Sequence, residues 1–506
     1  MALEGDRIAG IGPRLETGDV PHTDLRGLAL APGFIDIHGH TDVGLLVNPQ
    51  AESKVRQGVT TEVTGQDGAS IGPWSDEGYR RAGDQVRGQL GVDLPFRDLS
   101  GFFAWIDTQG AALNVASMIG QGTIREYIIG ADDRPAGRAE ILQMINEVRQ
   151  GLRAGACGLS SGLEYAPGAF AATDELIRLA AVLQDAGLPF ATHMRDEGDA
   201  VFGALEEAVH IGRMAGVSVE ISHLKAQGAR NWWKAPQLLE TIERAGADGA
   251  TDVGFDVYPY VAYSTALGSL FPVAARDGGT TAFLSRLRDR AQRAALEEPV
   301  RRKIEQLGGW DQVLISGTSS EALSWAKGRR LGELALERRE DPYALLTRLL
   351  IDDSGGADMV GFGMSEENVA LQLRHPLAVI CSDGGARAMS GPLGDDVPHP
   401  RTFGAFPRVL GRYVRQRGVM PLEDAIHKMT MLPARRLRLN GRGLIQPGAF
   451  ADLVAFDPDT VIDRATYEEP HRYPEGIPHV WVNGVQVIDR GEETGALPGR
   501  SLRPGG

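Results

Sequence analysis

The chain has 506 residues, a formal net charge of -15 and a hydrophobic fraction of 42%. That length exceeds one small domain, so a large catalytic domain with an accessory piece is expected. The acidic surplus argues against nucleic-acid backbones and anionic membranes as partners.

Only two cysteines occur, Cys157 and Cys381, which imply no disulfide framework and suit a reducing compartment. The first residues carry no basic segment followed by an apolar run, and no stretch of about 18 apolar residues is present. A cytoplasmic enzyme is the expectation.

Residues 1–31 alternate apolar residues with Gly and Pro and read as two or three short antiparallel strands. Residues 440–490 repeat that texture, so the two ends, 1–31 and 440–506, are expected to build one small β-sandwich domain. The middle, residues 32–439, repeats a different unit. Strand-like runs at 34–40, 60–66, 114–120, 155–163, 189–195, 218–224, 254–260 and 377–383 are mostly separated by helical patterns at 139–154, 173–186, 200–215 and 235–245. Thr173 reads as the N-cap of one helix and Gly187 as its stop. Eight strands alternating with helices predict an α/β chain folded as a (β/α)₈ TIM-like barrel. Two stretches break the rhythm, 67–113 and a long insertion at about 261–376, in which runs near 313–316 and 360–363 look like strands. Both are candidate lids over the C-terminal mouth, where such barrels build their pockets.

Chemically loaded residues stand where the strands would leave the barrel. In Phe34-Ile35-Asp36-Ile37-His38-Gly39-His40 the two histidines are two apart on a strand and share a face, with Asp36 one layer deeper. The second strand ends towards Asp67, the fifth at His193, the sixth at His223 and the eighth at Asp383. Taken singly, His193 reads as a core histidine and Asp383 as a helix cap. Together, four imidazoles and two carboxylates from separate strands match the ligand chemistry of one or two zinc ions. Asp383 is then placed to take a proton from water and pass it to a leaving amine. Lys225, Tyr165 and Tyr258 read either as pocket residues or as rim and packing residues. His22, His210, His427 and His479 lie outside the pattern and receive no role.

The stretch Pro32-Gly33-Phe34-Ile35-Asp36-Ile37-His38-Gly39-His40 resembles the first-strand motif of the amidohydrolase superfamily. Gly58-Val59-Thr60-Thr61, Gly158-Leu159-Ser160-Ser161-Gly162-Leu163-Glu164-Tyr165, Thr192-His193-Met194-Arg195, Ser222-His223-Leu224-Lys225, Asp256-Val257-Tyr258-Pro259-Tyr260, Ser382-Asp383-Gly384 and Pro398-His399-Pro400-Arg401 narrow the resemblance to the N-acyl-D-amino-acid deacylases. It runs from about residue 5 to about residue 500. The resemblance implies a tightly held zinc on His193, His223 and a strand-two residue, and a second, weaker metal position at His38 and His40. It further implies Asp383 as general acid/base and a substrate carboxylate held by Tyr165, Lys225 and Arg401, in keeping with an anionic N-acyl amino acid as substrate. The expected reaction is amide hydrolysis that frees a D-amino acid and a carboxylate.

Three departures bear on that expectation. Asp67 stands where the family usually has a cysteine, and a carboxylate is harder than a thiolate, which favours Zn, Mn or Co. The loop from Asp383 to Arg401 carries extra residues, 386–391, so the pocket floor is expected to differ. Family chains usually begin with further strands ahead of the segment matching 4–12, so the chain is expected to be shortened at its start or to have its start assigned late. The runner-up reading is a cyclic amidase of the hydantoinase or dihydroorotase kind, whose metals are bridged by a carboxylated lysine after strand four. This chain has Glu164-Tyr165 there. Neither the oligomeric state nor the preferred side chain and acyl group is legible.

Overall fold

Eight short parallel strands close on themselves. In this computed structural model they are β1 (Phe34–Asp36), β2 (Val59–Thr64), β3 (Asn114–Ser117, resumed at Ile119–Gly120), β4 (Leu159–Gly162), β5 (Phe190–His193), β6 (Val219–Ile221), β7 (Val253–Val257) and β8 (Ala378–Ile380). The structure describes all residues except 14, 16–19, 248, 250 and 506, so part of the β-rich reading of 1–31 lies outside the described residues. Each strand pairs in parallel with the next from β1 to β3 and from β3 to β8. A bridge between Gly39 and Gly384 joins the ends of the first and last strands, with Asp383 N donating to His38 O at 2.9 Å and His40 N to Gly384 O at 3.2 Å. The closed (β/α)₈ barrel anticipated from the alternation is therefore present. Every residue of these strands is buried, so they lack the in–out alternation of a half-exposed strand, and β2, Val59–Thr64, is rich in β-branched residues.

Helices Arg138–Ala154, Val201–Ala215 and Ala235–Ala247 follow the expected patterns closely. The one at 173–186 differs. It is α-helical only over Thr173–Ala180 and tightens to a 3₁₀ turn over Ala181–Ala186 before Gly187 closes it at φ 60°. Thr173 is not its N-cap: Ala172 holds that position, and the Thr173 hydroxyl instead donates to Glu207 Oε1 at 2.8 Å.

The insertion carries more β-structure than its sequence pattern suggested. Tyr263–Ala266, Asp358–Gly361, Val313–Gly317 and Arg329–Arg330 form a four-stranded antiparallel sheet in that order. The earlier excursion behaves differently. Its helices pack into the core, Asp76–Leu90 through Val86 and Leu90 and Leu99–Gln109 through Phe102, Phe103 and Ile106, and of this stretch Asp67 and Ala69, beside the strand end, line the barrel mouth. At the other side of the molecule, Ala29–Pro32 joins Leu453–Phe456, His479–Val482, Val485–Asp489 and Glu492–Glu493 in a five-stranded antiparallel sheet. The hairpin Ala2–Glu4 with Arg7–Gly10 packs beside it, and Ile8, Ala449, Leu453 and Trp481 share a separate apolar cluster. Among the described residues, no helix is long and apolar enough to cross a membrane.

Candidate metal-dependent active site

The barrel mouth opens into a cavity of about 280 Å³ that brings together most of the residues singled out in the sequence. His40, Asp67, Tyr165, His193, His223, Lys225, Tyr258, Asp383 and Arg401 all line it. His38 lies beneath, fully buried, with its Nε2 facing the same point.

Distances between donor atoms define the centre. His193 Nδ1 lies 3.0 Å from His223 Nε2. Asp67 Oδ1 is 3.5 Å from His223 Nε2 and 3.5 Å from His38 Nε2. Asp383 Oδ1 is 3.5 Å from His38 Nε2 and 3.1 Å from His40 Nε2, and Asp67 Oδ2 is 3.8 Å from His40 Nε2. Tetrahedral bonds of about 2.0–2.1 Å imply ligand atoms about 3.3 Å apart, which is the spacing found here. His38 Nε2 and Asp67 Oδ1 are buried without a hydrogen-bond partner, a costly arrangement unless a cation satisfies them. The donor set therefore fits a divalent ion. Asp67 stands between the two histidine pairs, with Oδ1 reaching His223 and His38 and Oδ2 facing His40.

The backbone is bent to achieve this. Asp67, His223 and Asp383 have φ of 53°, 35° and 49°, a left-handed region that residues with a Cβ seldom occupy and that clusters at functional sites. Two glycines make room. A Cβ on Gly162 would sit 2.0 Å from Asp67 O, and one on Gly39 would sit 2.0 Å from Glu62 Oε1. The glycine between the two histidines thus serves the carboxylate behind it.

Each buried imidazole is backed by a carboxylate. His38 Nδ1 lies 3.3 Å from Asp256 Oδ2, His223 Nδ1 3.0 Å from Glu197 Oε1, and His193 Nε2 3.5 Å from Glu164 Oε2. Such partners fix the tautomer and aim the opposite nitrogen at the metal. Burial works against charge on His38, yet Asp67, Asp256 and Asp383 outweigh it and raise its pKa well above the ordinary histidine value. His223 is pushed up to about 9, with burial and Lys225 opposing its charge and Glu197, Asp67 and Asp383 prevailing. Asp383 moves the other way: burial resists ionisation, but Arg401, His223 and His38 hold it below the usual carboxylate range. The cup is thus rich in carboxylate and calls for positive charge at its centre.

Arg401 and Lys225 are both buried, and both are paired. Arg401 Nη1 donates to Asp383 Oδ2 at 2.6 Å, and Lys225 Nζ donates to Glu197 Oε1 at 2.6 Å. Lys225 is no solvated rim residue. Tyr165 OH meets Thr265 Oγ1 at 3.2 Å, while Tyr258 OH is buried with no partner. The insertion sheet supplies Tyr263, Ser264 and Thr265 as one wall. A second chamber of about 150 Å³ shares His40, Ser264, Asp383 and Arg401 and is closed by Ser316, Asp358, Arg387 and Asp396. The extra residues of the 386–391 loop reach this chamber through Arg387.

Sequence reasoning assigned no role to Glu164, Glu197 or Asp256. Glu197 follows His193 by four residues and Asp256 closes β7, so both stood at strand ends where further polar groups were to be sought.

Comparison with known families matches residues 22–259 and 364–488 to the amidohydrolase family. The chain belongs to that family. Among curated proteins it is 37% identical over 99% of its length to a D-aminoacylase of Alcaligenes xylosoxydans xylosoxydans, covering 93% of that protein. It is 39% identical to an N-acyl-D-aspartate deacylase of the same organism, over 100% of this chain and 91% of the relative. Among solved structures, the N-acyl-D-glutamate deacylase of Bordetella bronchiseptica, complexed with zinc and a phosphonate mimic of the tetrahedral intermediate, superposes with a TM-score of 0.82. Identity there is 34%, covering 99% of this chain and 94% of that one.

Proposed function

We propose that this amidohydrolase removes the acyl group from N-acyl-D-amino acids, releasing a D-amino acid and a carboxylate. One observation carries the reading: side chains from separate barrel strands form two adjoining donor groups at metal-ligand spacing, His38 with Asp67, His223 and Asp383, and His193 with Glu197 and His223, while His40 Nε2 lies 3.1 Å from Asp383 Oδ1. His193 and His223 with Asp67 would hold the tight zinc, and His38 and His40 the weaker position. When bound, the cation supplies Lewis acidity to the scissile carbonyl and acidifies the attacking water.

The remaining steps belong to the side chains. Asp383 accepts the proton of the attacking water and returns it to the amide nitrogen as the C–N bond breaks. Arg401 offers a planar fork and Lys225 an ammonium to the substrate carboxylate, with Tyr165 beside them. Tyr258 presents a buried hydroxyl donor, and a buried donor without a partner is satisfied when a polar ligand enters. The insertion contributes Tyr263, Ser264 and Thr265 to the wall of the pocket.

A cyclic-amidase reading would need a lysine after β4, and that position is followed by Leu163, Glu164 and Tyr165. Cys157 and Cys381 are free and buried, which suits a reducing compartment. The test is a panel of N-acetyl and N-formyl D- and L-amino acids with hydantoins and dihydroorotate as controls. Turnover confined to linear N-acyl-D-amino acids is expected. Ring opening of a hydantoin without any deacylation would overturn the assignment.

A further inference from the structure

Lys54 belongs to none of the chemistry above, yet it is fully buried. It sits in the short helix Glu52–Val55, below the barrel mouth. Its ammonium has three protons, and each finds an acceptor: Asp36 Oδ2 at 2.7 Å, Ser382 Oγ at 2.8 Å and Gly384 O at 2.6 Å. Glu62 Oε1 lies a further 3.2 Å away.

The choice of partners is informative. Ser382 and Gly384 are the two neighbours of Asp383, whose backbone is held at φ 49°. Asp36 reinforces the grip, accepting from Ser382 N at 2.9 Å and from Ser382 Oγ at 2.5 Å. Glu62 completes it from the other side. It accepts from Thr41 Oγ1 at 2.6 Å, and that hydroxyl in turn accepts from Ala386 N at 2.9 Å. One buried cation therefore ties the strand that carries His38 and His40 to the turn that carries Asp383. A lysine serving the fold alone would need only its carboxylates, whereas here two of three protons go to the residues flanking Asp383.

We propose that Lys54 is a positioning residue for Asp383, holding the 382–384 turn so that the carboxylate faces the histidines. This rests on Asp383 being the proton carrier of the proposed hydrolysis. Lys54 touches no substrate, so its loss should slow turnover and leave binding alone.

Three variants test it. Ser382→Ala removes one tether without changing charge. Lys54→Met removes the clamp, and Lys54→Met/Glu62→Gln removes it together with one opposing charge, in case the single variant does not fold. Against an N-acyl-D-amino acid turned over by the parent, kcat should fall about 5-fold in Ser382→Ala and about 30-fold or more in a folded Lys54 variant, with KM within about 2-fold, since small misplacements of a reacting group cost up to about 100-fold. Metal content should hold. Amide hydrogen exchange across 382–386 should quicken about 10-fold as the turn loosens. Unchanged kcat, or equal losses in kcat and metal content, overturns the proposal. So does failure of both Lys54 variants to fold with Ser382→Ala fully active, which would mark a purely structural lysine. If the parent hydrolyses no N-acyl-D-amino acid, the functional assignment falls by itself, and unchanged exchange in the variants then overturns the role of Lys54 separately.

Discussion

Arg401 and Asp383 form a buried ion pair, with Nη1 2.6 Å from Oδ2, while the second carboxylate oxygen lies 3.1 Å from His40 Nε2. One oxygen of Asp383 thus faces the imidazoles and the other faces the group proposed to receive the substrate carboxylate. Proton carrier and substrate anchor touch. Changing either is expected to affect a different kinetic constant.

Asp383→Asn keeps the shape and hydrogen-bonding atoms but removes the basic oxygen. We expect kcat to fall about 10²–10⁴-fold, the usual contribution of general acid–base catalysis, with metal content close to the parent. Turnover near the parental level would remove Asp383 from the mechanism. Steady-state kinetics with elemental analysis on the same preparation decides it.

Arg401→Ala removes the fork. Its backbone N–H donates to His399 Nδ1 at 3.0 Å and keeps that bond in the variant, while the guanidinium's contact with the Tyr258 ring, 4.9 Å to the centre, is lost. KM for N-acyl-D-amino acids should rise by roughly 10–100-fold, as expected for a charge-assisted contact worth about 1.5–3 kcal/mol. Substrates whose carboxylate is replaced by a carboxamide should be far less affected. Equal losses on both would assign Arg401 to Asp383 alone.

Asp67→Ala tests the candidate ligand that follows β2. Its Oδ1 is buried without a partner and equidistant, at 3.5 Å, from His38 and His223. We expect affinity for zinc to weaken by at least about 10-fold, because one of few ligands is lost. Competition with a chelator measures this without turnover. Unaltered affinity would show that Asp67 is not a ligand.

The barrel and the outline of this cup were legible because burial leaves a strong trace. The strands recur at intervals between helical patterns, and His193 ends one of them while His38 and His223 stand just past the ends of two others. The supporting shell left weaker traces. Lys54 lies in a four-residue helix with no period to reveal it, and Glu62 sits within β2, where a carboxylate reads as an outward-facing residue. What joins Lys54 to Ser382 and Gly384 is the closure of the barrel, a contact across more than three hundred residues that no local pattern reports. The insertion was legible only in part, for a related reason. Its strands of two to five residues pair antiparallel across long loops, and only Val313–Gly317 and Asp358–Gly361 are apolar enough to signal themselves.

His399 sets a pH dependence of stability that is separate from the metal. It is buried, with Nε2 3.0 Å from Ala262 O and Nδ1 accepting from Arg401 N at 3.0 Å, so both nitrogens are engaged in the neutral ring. Tyr258, Tyr260 and Tyr467 surround it. Burial and the neighbouring Arg401 and Arg408 cations oppose its protonation, and Asp383 and the Ala262 carbonyl offset this only in part, so its pKa lies well below 6.5. The unfolded chain, with a pKa near about 6.5, binds the proton first. Stability is therefore complete above that pH and falls as pH drops below it, by up to about 1.4 kcal/mol per unit. In His399→Gln this contribution vanishes. The difference in unfolding free energy between parent and variant, measured in urea from pH 5 to 8 with the metal removed, should shrink steadily below about 6.5. A difference that stays flat with pH would mean that His399 binds its proton equally in the folded and unfolded chain, against this expectation.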